Sequence, residues 1–81
     1  MPVISRFQGV VIKMYFRGRE HNPPHFHAFH GSDAAALSIE DGAVIDGSLP
    51  PAILGRVRQW FLRNRGELRE MWDTQQFRKL K

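Results

Sequence analysis

All four histidines of this chain of 81 residues fall within one segment, residues 21–30, which reads His-Asn-Pro-Pro-His-Phe-His-Ala-Phe-His. If residues 25–30 form a strand, its alternation places His25 and His27 side by side on one face, with Phe29 beside them. Two neighbouring imidazoles can divide a proton-transfer task between them or share a metal ion. This segment therefore holds the chain's main candidates for chemistry.

Acid–base catalysis is the first chemistry that the pair can perform. Imidazoles titrate near neutral pH, so His25 and His27 are candidate base and acid for cleaving a phosphodiester, while an Arg or Lys stabilises the developing charge. RNA brings its own 2′-hydroxyl nucleophile, so the reaction needs neither a protein nucleophile nor a metal. We accordingly expect no cofactor.

Metal binding is the second chemistry. His21, His25 and His27 could together ligate zinc, copper, nickel or iron, provided that a further ligand and supporting hydrogen bonds complete the site. The spacing of two residues is a weak signal, because the stronger zinc motifs contain Cys pairs or place the second His on a helix. The metal site is therefore an alternative to catalysis.

A purely structural role for the segment is the third alternative. Histidine and phenylalanine both suit half-buried strand positions. Residues 22–24, Asn-Pro-Pro, then serve only to fix a rigid turn, because Asn can bond its own backbone and proline fixes φ. The sequence alone leaves these three roles open.

Charge is segregated along the chain, although the net charge is only +4. Residues 1–32 carry four Lys or Arg and one acid, residues 33–50 carry four acids and no base, and residues 51–81 carry eight bases and three acids. Nine of the twelve bases are Arg, whose planar guanidinium pairs with phosphate or carboxylate, so an anionic partner competes with a merely solvated helix face. The candidate nucleic-acid contacts are Arg6, Arg17 and Arg58.

Alternating apolar residues predict a strand over residues 10–17, and residues 25–30, 34–39 and 43–46 read as three further strands. Short links between them favour an antiparallel meander of about four strands. Gly42 is expected in a left-handed conformation in the tight turn before the fourth strand.

A helix is predicted to begin near residue 50, where Pro is favoured in the first turn. At 100° per residue, its apolar side chains fall within one arc of about 120° that must cover the sheet. They are Ile53, Leu54, Val57, Trp60 and Phe61. Residues 64–66, Asn-Arg-Gly, predict a break, because Asn64 would otherwise lie in the buried stripe. The predicted class is α+β, with the meander packed on a C-terminal helix or a broken helix pair.

Length and composition limit the classes of protein. A chain this short is expected to form a single domain, residues 1–81. It has no apolar run of about 20 residues and no apolar signal core at its start, so we expect a cytoplasmic protein without membrane contact. The absence of Cys excludes disulfides, thiol nucleophiles and thiolate metal sites.

Several segments together resemble a known family. Residues 1–7, Met-Pro-Val-Ile-Ser-Arg-Phe, and residues 21–28, His-Asn-Pro-Pro-His-Phe-His-Ala, are similar to small bacterial proteins grouped as a domain of unknown function, number 4160. Residues 49–51, Trp60 and residues 67–72 extend the resemblance over nearly the whole chain. It implies a compact α+β fold and a gene arrangement like that of toxin–antitoxin pairs, and it implies no established catalytic residue.

The sequence therefore predicts a small component of a toxin–antitoxin-like module that binds or acts on nucleic acid. Its most specific form is a metal-independent ribonuclease using His25 and His27. The alternatives are a protein-interaction module, in which the helical face and the acidic hairpin dock a partner, and a His-based metal-binding protein. The expected partners are RNA or DNA and a small cognate protein encoded nearby.

Overall fold

The fold was obtained as a computed structural model that describes residues 3–15 and 23–80. Five strands form one antiparallel sheet in the order β1-β2-β3-β4-β5. The elements are β1 (Val3–Phe7), β2 (Val10–Lys13), β3 (His25–His30), β4 (Asp33–Ser38), β5 (Val44–Ser48) and α1 (Pro51–Thr74). The α+β class and the antiparallel meander are confirmed, with five strands in place of about four.

β1 is a strand that the sequence pattern does not predict. Its pairing with β2 shifts register between Val3 and Ser5, so Ile4 and Ser5 are both buried. This irregularity removes the alternation that would have revealed a strand. Gln8 and Gly9 connect β1 to β2, and both have positive φ, 49° and 80°, as in the tight turns that suit the twist of a hairpin.

The other strands lie near their predicted positions. β3 has its predicted bounds, and β4 and β5 are displaced by one or two residues. β2 ends at Lys13, earlier than predicted, and residues 16–22 lie outside the described residues. Gly42 has φ of 74°, so the predicted left-handed turn before β5 is confirmed.

α1 runs unbroken for 24 residues from Pro51, so the predicted break at residues 64–66 is wrong. The Nδ2 of Asn64 donates to the Trp60 carbonyl at 2.9 Å, which gives the amide a partner inside the helix. The helix ends at Thr74, and the next residue, Gln75, caps it with a left-handed φ and donates its N–H to the Met71 carbonyl. No helix in the described part of the chain combines the length and apolarity needed to cross a membrane.

α1 packs on one face of the sheet through aromatic contacts. The centroid of the Phe26 ring of β3 lies 5.9 Å from the ring centroid of Trp60 and 5.8 Å from that of Phe61, and all three side chains are buried. Ile53 and Val57 are buried as predicted. Within residues 3–15 and 23–80 no second helix covers the other face of the sheet, which we call the open face.

Residues 75–80 return from the end of α1 to β1. The Leu80 N–H donates to the Ile4 carbonyl at 2.6 Å. The side chains of Phe77 and Leu80 are partly buried against the core. This segment therefore covers the outer edge of β1.

Candidate functional site

The open face carries the predicted histidine pair within a row of rings. His25 and His27 lie side by side on β3, with ring centroids 5.1 Å apart. The His27 and Tyr15 rings form an edge-to-face contact, with their centroids 4.6 Å apart. The His27 and Phe29 rings are nearly parallel, with their centroids 6.3 Å apart. All four side chains are half-buried. They form one continuous ring row, which we define as Tyr15, His25, His27 and Phe29.

Cations border the ring row on the side of β1 and β2. Lys13 lies opposite His27 in the β2–β3 pairing, and its Nζ is 5.0 Å from the centroid of Phe29, within the range of a cation–π contact. Arg6 lies opposite Val11, a residue of the same face, and its side chain is exposed. Lys13 therefore stands beside the rings, and Arg6 lies one strand farther out on the same face.

Small side chains and one acid occupy the side of β4 and β5. Ala36 lies opposite His27, and Ala34 lies opposite Phe29. Asp46 lies opposite Ala36, so the cross-strand row that begins with a Lys ends with a carboxylate. The open face changes sign of charge from β2 to β5.

A backbone carbonyl orients His25. The Nδ1–H of His25 donates to the Pro23 carbonyl at 2.8 Å, so Nε2 is the nitrogen left to face a ligand. The His25 ring also lies 5.2 Å from the Trp72 ring of α1. His25 therefore stands at the end of the sheet, between the open face and the last turn of the helix.

The pKa of His27 is lowered from its ordinary value. Burial is the largest cause, the positive charge of His25 lowers the pKa further, and the negative charge of Asp46 raises it in part. Since desolvation disfavours the charged imidazolium, His27 is neutral at neutral pH. A neutral imidazole can accept a proton, which the predicted general base must do.

The described residues do not assemble the predicted metal site. No group of three or more His, Cys, Asp or Glu within residues 3–15 and 23–80 is placed to hold a metal ion. His21, the predicted third ligand, and Arg17, a predicted nucleic-acid contact, both lie outside the described residues. The structure thus brings together His25 and His27 and adds no third ligand from the part that it describes.

Arg58 is the predicted nucleic-acid contact that lies away from the ring row. Its Nε donates to the Gly42 carbonyl at 3.2 Å, and Arg65 donates to the carbonyl of Glu40. Both bonds tie α1 to the turn between β4 and β5. Arg58 therefore serves the packing of the helix, and any contact that it makes to phosphate stays a prediction.

Three residues of the open face are not among the predicted site residues: Lys13, Tyr15 and Asp46. Lys13 and Tyr15 alternate with buried residues of the β2 segment, and that alternation is the signal that could have marked them. The position of Asp46 on the open face depends on the β4–β5 pairing, whose register shifts between Ala36 and Leu37. Nothing in the sequence marks that shift.

A protein-family model matches residues 9–73, and its description is "Domain of unknown function (DUF4160)". The chain belongs to this family. The match includes the histidine strand and almost all of α1, so the resemblance expected from the sequence motifs is confirmed. No curated protein and no solved structure matches the chain significantly. Family membership thus adds no activity to what the open face itself indicates.

We expect His27 to make the fold less stable in acid. Because the pKa of His27 is lower in the folded protein than in the unfolded chain, the unfolded chain takes up the proton first. The His27 contribution is complete above about pH 6.5 and declines as the pH falls below that value. Thermal unfolding of wild type and His27→Gln, on both sides of this pH, measures the effect.

The melting temperature of the wild type should fall more steeply toward acid than that of His27→Gln. His30→Gln, which removes an imidazole outside the ring row, is the matched control and should follow the wild type. Parallel curves for wild type and His27→Gln would contradict the expectation.

Proposed function

We propose that this chain is a cytoplasmic protein that binds single-stranded RNA on the open face of its sheet. The observation that carries the proposal is the ring row, bordered by Lys13 and Arg6. Single-stranded bases stack on aromatic and imidazole rings, while Lys and Arg pair with the phosphates that link them. The open face offers both kinds of contact within two strand spacings, from the rings of β3 to Arg6 on β1.

The environment of Phe29 supports stacking as the mode of contact. A Lys13 ammonium above the ring indicates that a face of Phe29 accepts a group from outside the sheet. When a phosphate draws Lys13 away, a base can take its place on the ring. The neighbouring His27 holds Phe29 in a nearly parallel orientation, at 20° between the planes, so little side-chain freedom is lost on binding.

A single strand fits this face better than a duplex. The rings stand in a row on one face of a sheet, and a base can reach them only when it is unpaired and unstacked from its neighbours. The family resemblance adds the context of a toxin–antitoxin-like module, in which an RNA-directed component is expected. We propose that this chain is the RNA-directed component of such a module.

Substitutions should separate stacking from charge in this binding. Phe29→Leu keeps an apolar side chain but removes the ring, so affinity for a short labelled single-stranded RNA should fall about 10-fold or more, with the salt dependence unchanged. Lys13→Gln should weaken binding and lower the slope of log K against log salt by about 0.7. Fluorescence anisotropy over a series of salt concentrations measures both quantities.

The matched control is Arg69→Gln, which removes one positive charge from α1, where Arg69 pairs with Asp73 at 3.3 Å. This variant should keep the affinity and the slope of the wild type. Equal losses for Lys13→Gln and Arg69→Gln would indicate attraction by net charge alone. Unchanged binding by Phe29→Leu would refute stacking on the ring row.

The histidine pair extends the proposal to cleavage of the bound RNA. His27, neutral at neutral pH, takes the proton from a 2′-hydroxyl, whose oxygen then attacks the adjacent phosphorus. The bond from phosphorus to the 5′-oxygen breaks, and a His25 imidazolium donates its Nε2 proton to that oxygen, while its Nδ1–H stays bonded to the Pro23 carbonyl. Lys13, opposite His27, is positioned to stabilise the added negative charge. The products are a 2′,3′-cyclic phosphate and a 5′-hydroxyl.

Cleavage should depend on both histidines and on the 2′-hydroxyl. We expect the His25→Ala, His27→Ala variant to lose about 100-fold or more in rate, as for loss of general acid–base groups, while RNA affinity changes far less. An oligonucleotide with 2′-deoxyribose throughout should bind without being cut. Growth inhibition on overexpression should disappear with the same double substitution. Activity or toxicity that survives it would exclude catalysis and leave RNA binding standing.

The outer face of α1 favours a second candidate function, the docking of a partner protein. Leu62 projects from this face with 70% of its surface exposed. Gly55 and Gly66 lie on the same face, seven residues before and four residues after it, and both border open space. A leucine between two glycines lets a partner helix approach closely along this face.

Charge identifies the kind of partner that this helix face fits. Residues 51–66 contain four Arg and no Asp or Glu. Arg56 and Arg63 are exposed beside the Leu62 face, seven residues apart and hence about 10 Å along the helix. A second copy would bring Arg against Arg. We therefore propose an acidic amphipathic helix as the occupant, supplied by the small protein encoded beside this one.

The two exposed large apolar residues provide a matched test of docking. Leu62→Lys should weaken the complex with the neighbouring gene's product about 10-fold or more, because it puts a charge at the centre of the contact. Ile45→Lys changes a residue of β5 that is 47% exposed and should leave the complex intact. Calorimetry with the two purified proteins measures both. Equal affinities for the two variants would exclude the helix face as the docking surface.

A further inference from the structure

A shallow cavity opens on the open face beside the ring row. Its volume is about 90 Å³. The residues that line it are His27, Ala34, Ala35, Ala36, Asp46 and Gly47. Because β4 contributes only alanines here, its surface lies lower than the rings of β3, and this difference in height creates the cavity.

The cavity has an apolar floor and two polar walls. Ala34 and Ala36 present methyl groups on the floor, His27 forms one wall and Asp46 forms the other. A flat floor beside an upright ring suits a planar heteroaromatic group better than a flexible chain. A nucleobase lying against His27 would have its edge directed toward Asp46.

The distribution of charge on the open face orients such a nucleotide. Lys13, His27, Ala36 and Asp46 follow one another across four neighbouring strands, a distance of about 14 Å from Lys13 to Asp46. Phosphates are attracted to the end with Lys13 and repelled by the end with Asp46. A nucleotide bound here would therefore place its sugar–phosphate backbone over β1 and β2 and its base toward β5.

Asp46 is held in place and retains acceptor capacity. Its Oδ1 accepts the Gly47 N–H at 3.0 Å, which fixes the carboxylate beside the cavity. Oδ2 and the second lone pair of Oδ1 remain able to accept hydrogen bonds from a ligand. An ionised carboxylate accepts hydrogen bonds and donates none, so it favours a base edge made of donors.

The four bases differ in what they present to such an acceptor. Guanine has two adjacent donors on its Watson–Crick edge, the N1–H and the exocyclic amine, which match the two oxygens of a carboxylate. Adenine and cytosine place a ring acceptor beside their amine, and uracil has one N–H between two carbonyls. A bidentate contact also gains from the charge on the carboxylate. Resting on the RNA binding proposed above, we propose that this cavity is a guanine-selective site read by Asp46.

Guanine selectivity is testable with short single-stranded RNAs of uridines that carry one central guanine, inosine, adenine or cytosine. The wild type should bind the guanine oligonucleotide about 10-fold or more tightly than the uridine parent. Inosine lacks the exocyclic amine, so the affinity for the inosine oligonucleotide should lie between the affinities for the guanine oligonucleotide and the uridine parent. Asp46→Asn replaces one acceptor oxygen by a donor and should abolish the preference, while affinity for the uridine parent stays within a few fold.

Two further variants make the result specific to the cavity. Asp33→Asn makes the same change of charge at an acid opposite His30, outside the cavity, and should keep the guanine preference. Ala34→Val raises the floor and should reduce the preference with the carboxylate intact. Circular dichroism of each variant checks that the sheet forms.

The outcomes separate this inference from the function on which it rests. RNA binding by the wild type that does not distinguish guanine from the other bases would overturn the site and leave the open face as a general RNA platform. A guanine preference that persists in Asp46→Asn would also overturn it. Absence of binding to every oligonucleotide would refute the proposed function and this inference together.

Discussion

The packing of Phe26 between Trp60 and Phe61 is the interaction on which the rest of the structure depends. With Phe26 buried under α1, alternation along β3 sends His25, His27 and Phe29 to the opposite face. A slip by one residue would bury the imidazoles and expose the phenylalanine. The same contact that closes the core therefore sets which side chains a ligand can meet.

Regular patterns in the sequence were sufficient to predict part of this arrangement. The alternation of β3 predicts its bounds and the adjacency of His25 and His27, and the helical arc predicts which side of α1 is buried. β1 was missed because the shift near Ser5 buries two consecutive side chains. The predicted helix break was wrong because a hydrogen bond within the helix satisfies Asn64. A hydrogen bond of this kind does not alter the periodicity of apolar residues, so the sequence pattern does not reveal it.

The composition of the open face was harder to predict than its histidines. Lys13 and Asp46 come near His27 only through the pairing of four strands, and the last of these pairings has an irregular register. The net charge of +4 gave no indication that the cations and the acid would be sorted to opposite sides of one surface. On α1, Arg58 and Arg65 bond to backbone carbonyls, so the count of Arg overstates the charge offered to a ligand.

The Leu80 bond to the Ile4 carbonyl bears on how the sheet can grow. It occupies a backbone acceptor at the β1 edge, where another extended chain would otherwise add as a sixth strand. At the β5 edge, an irregular register, Asp46 and Gly47 are features that discourage such addition. With strand addition hindered at both edges, the sheet is left to make contacts through the side chains of its open face rather than through its main chain.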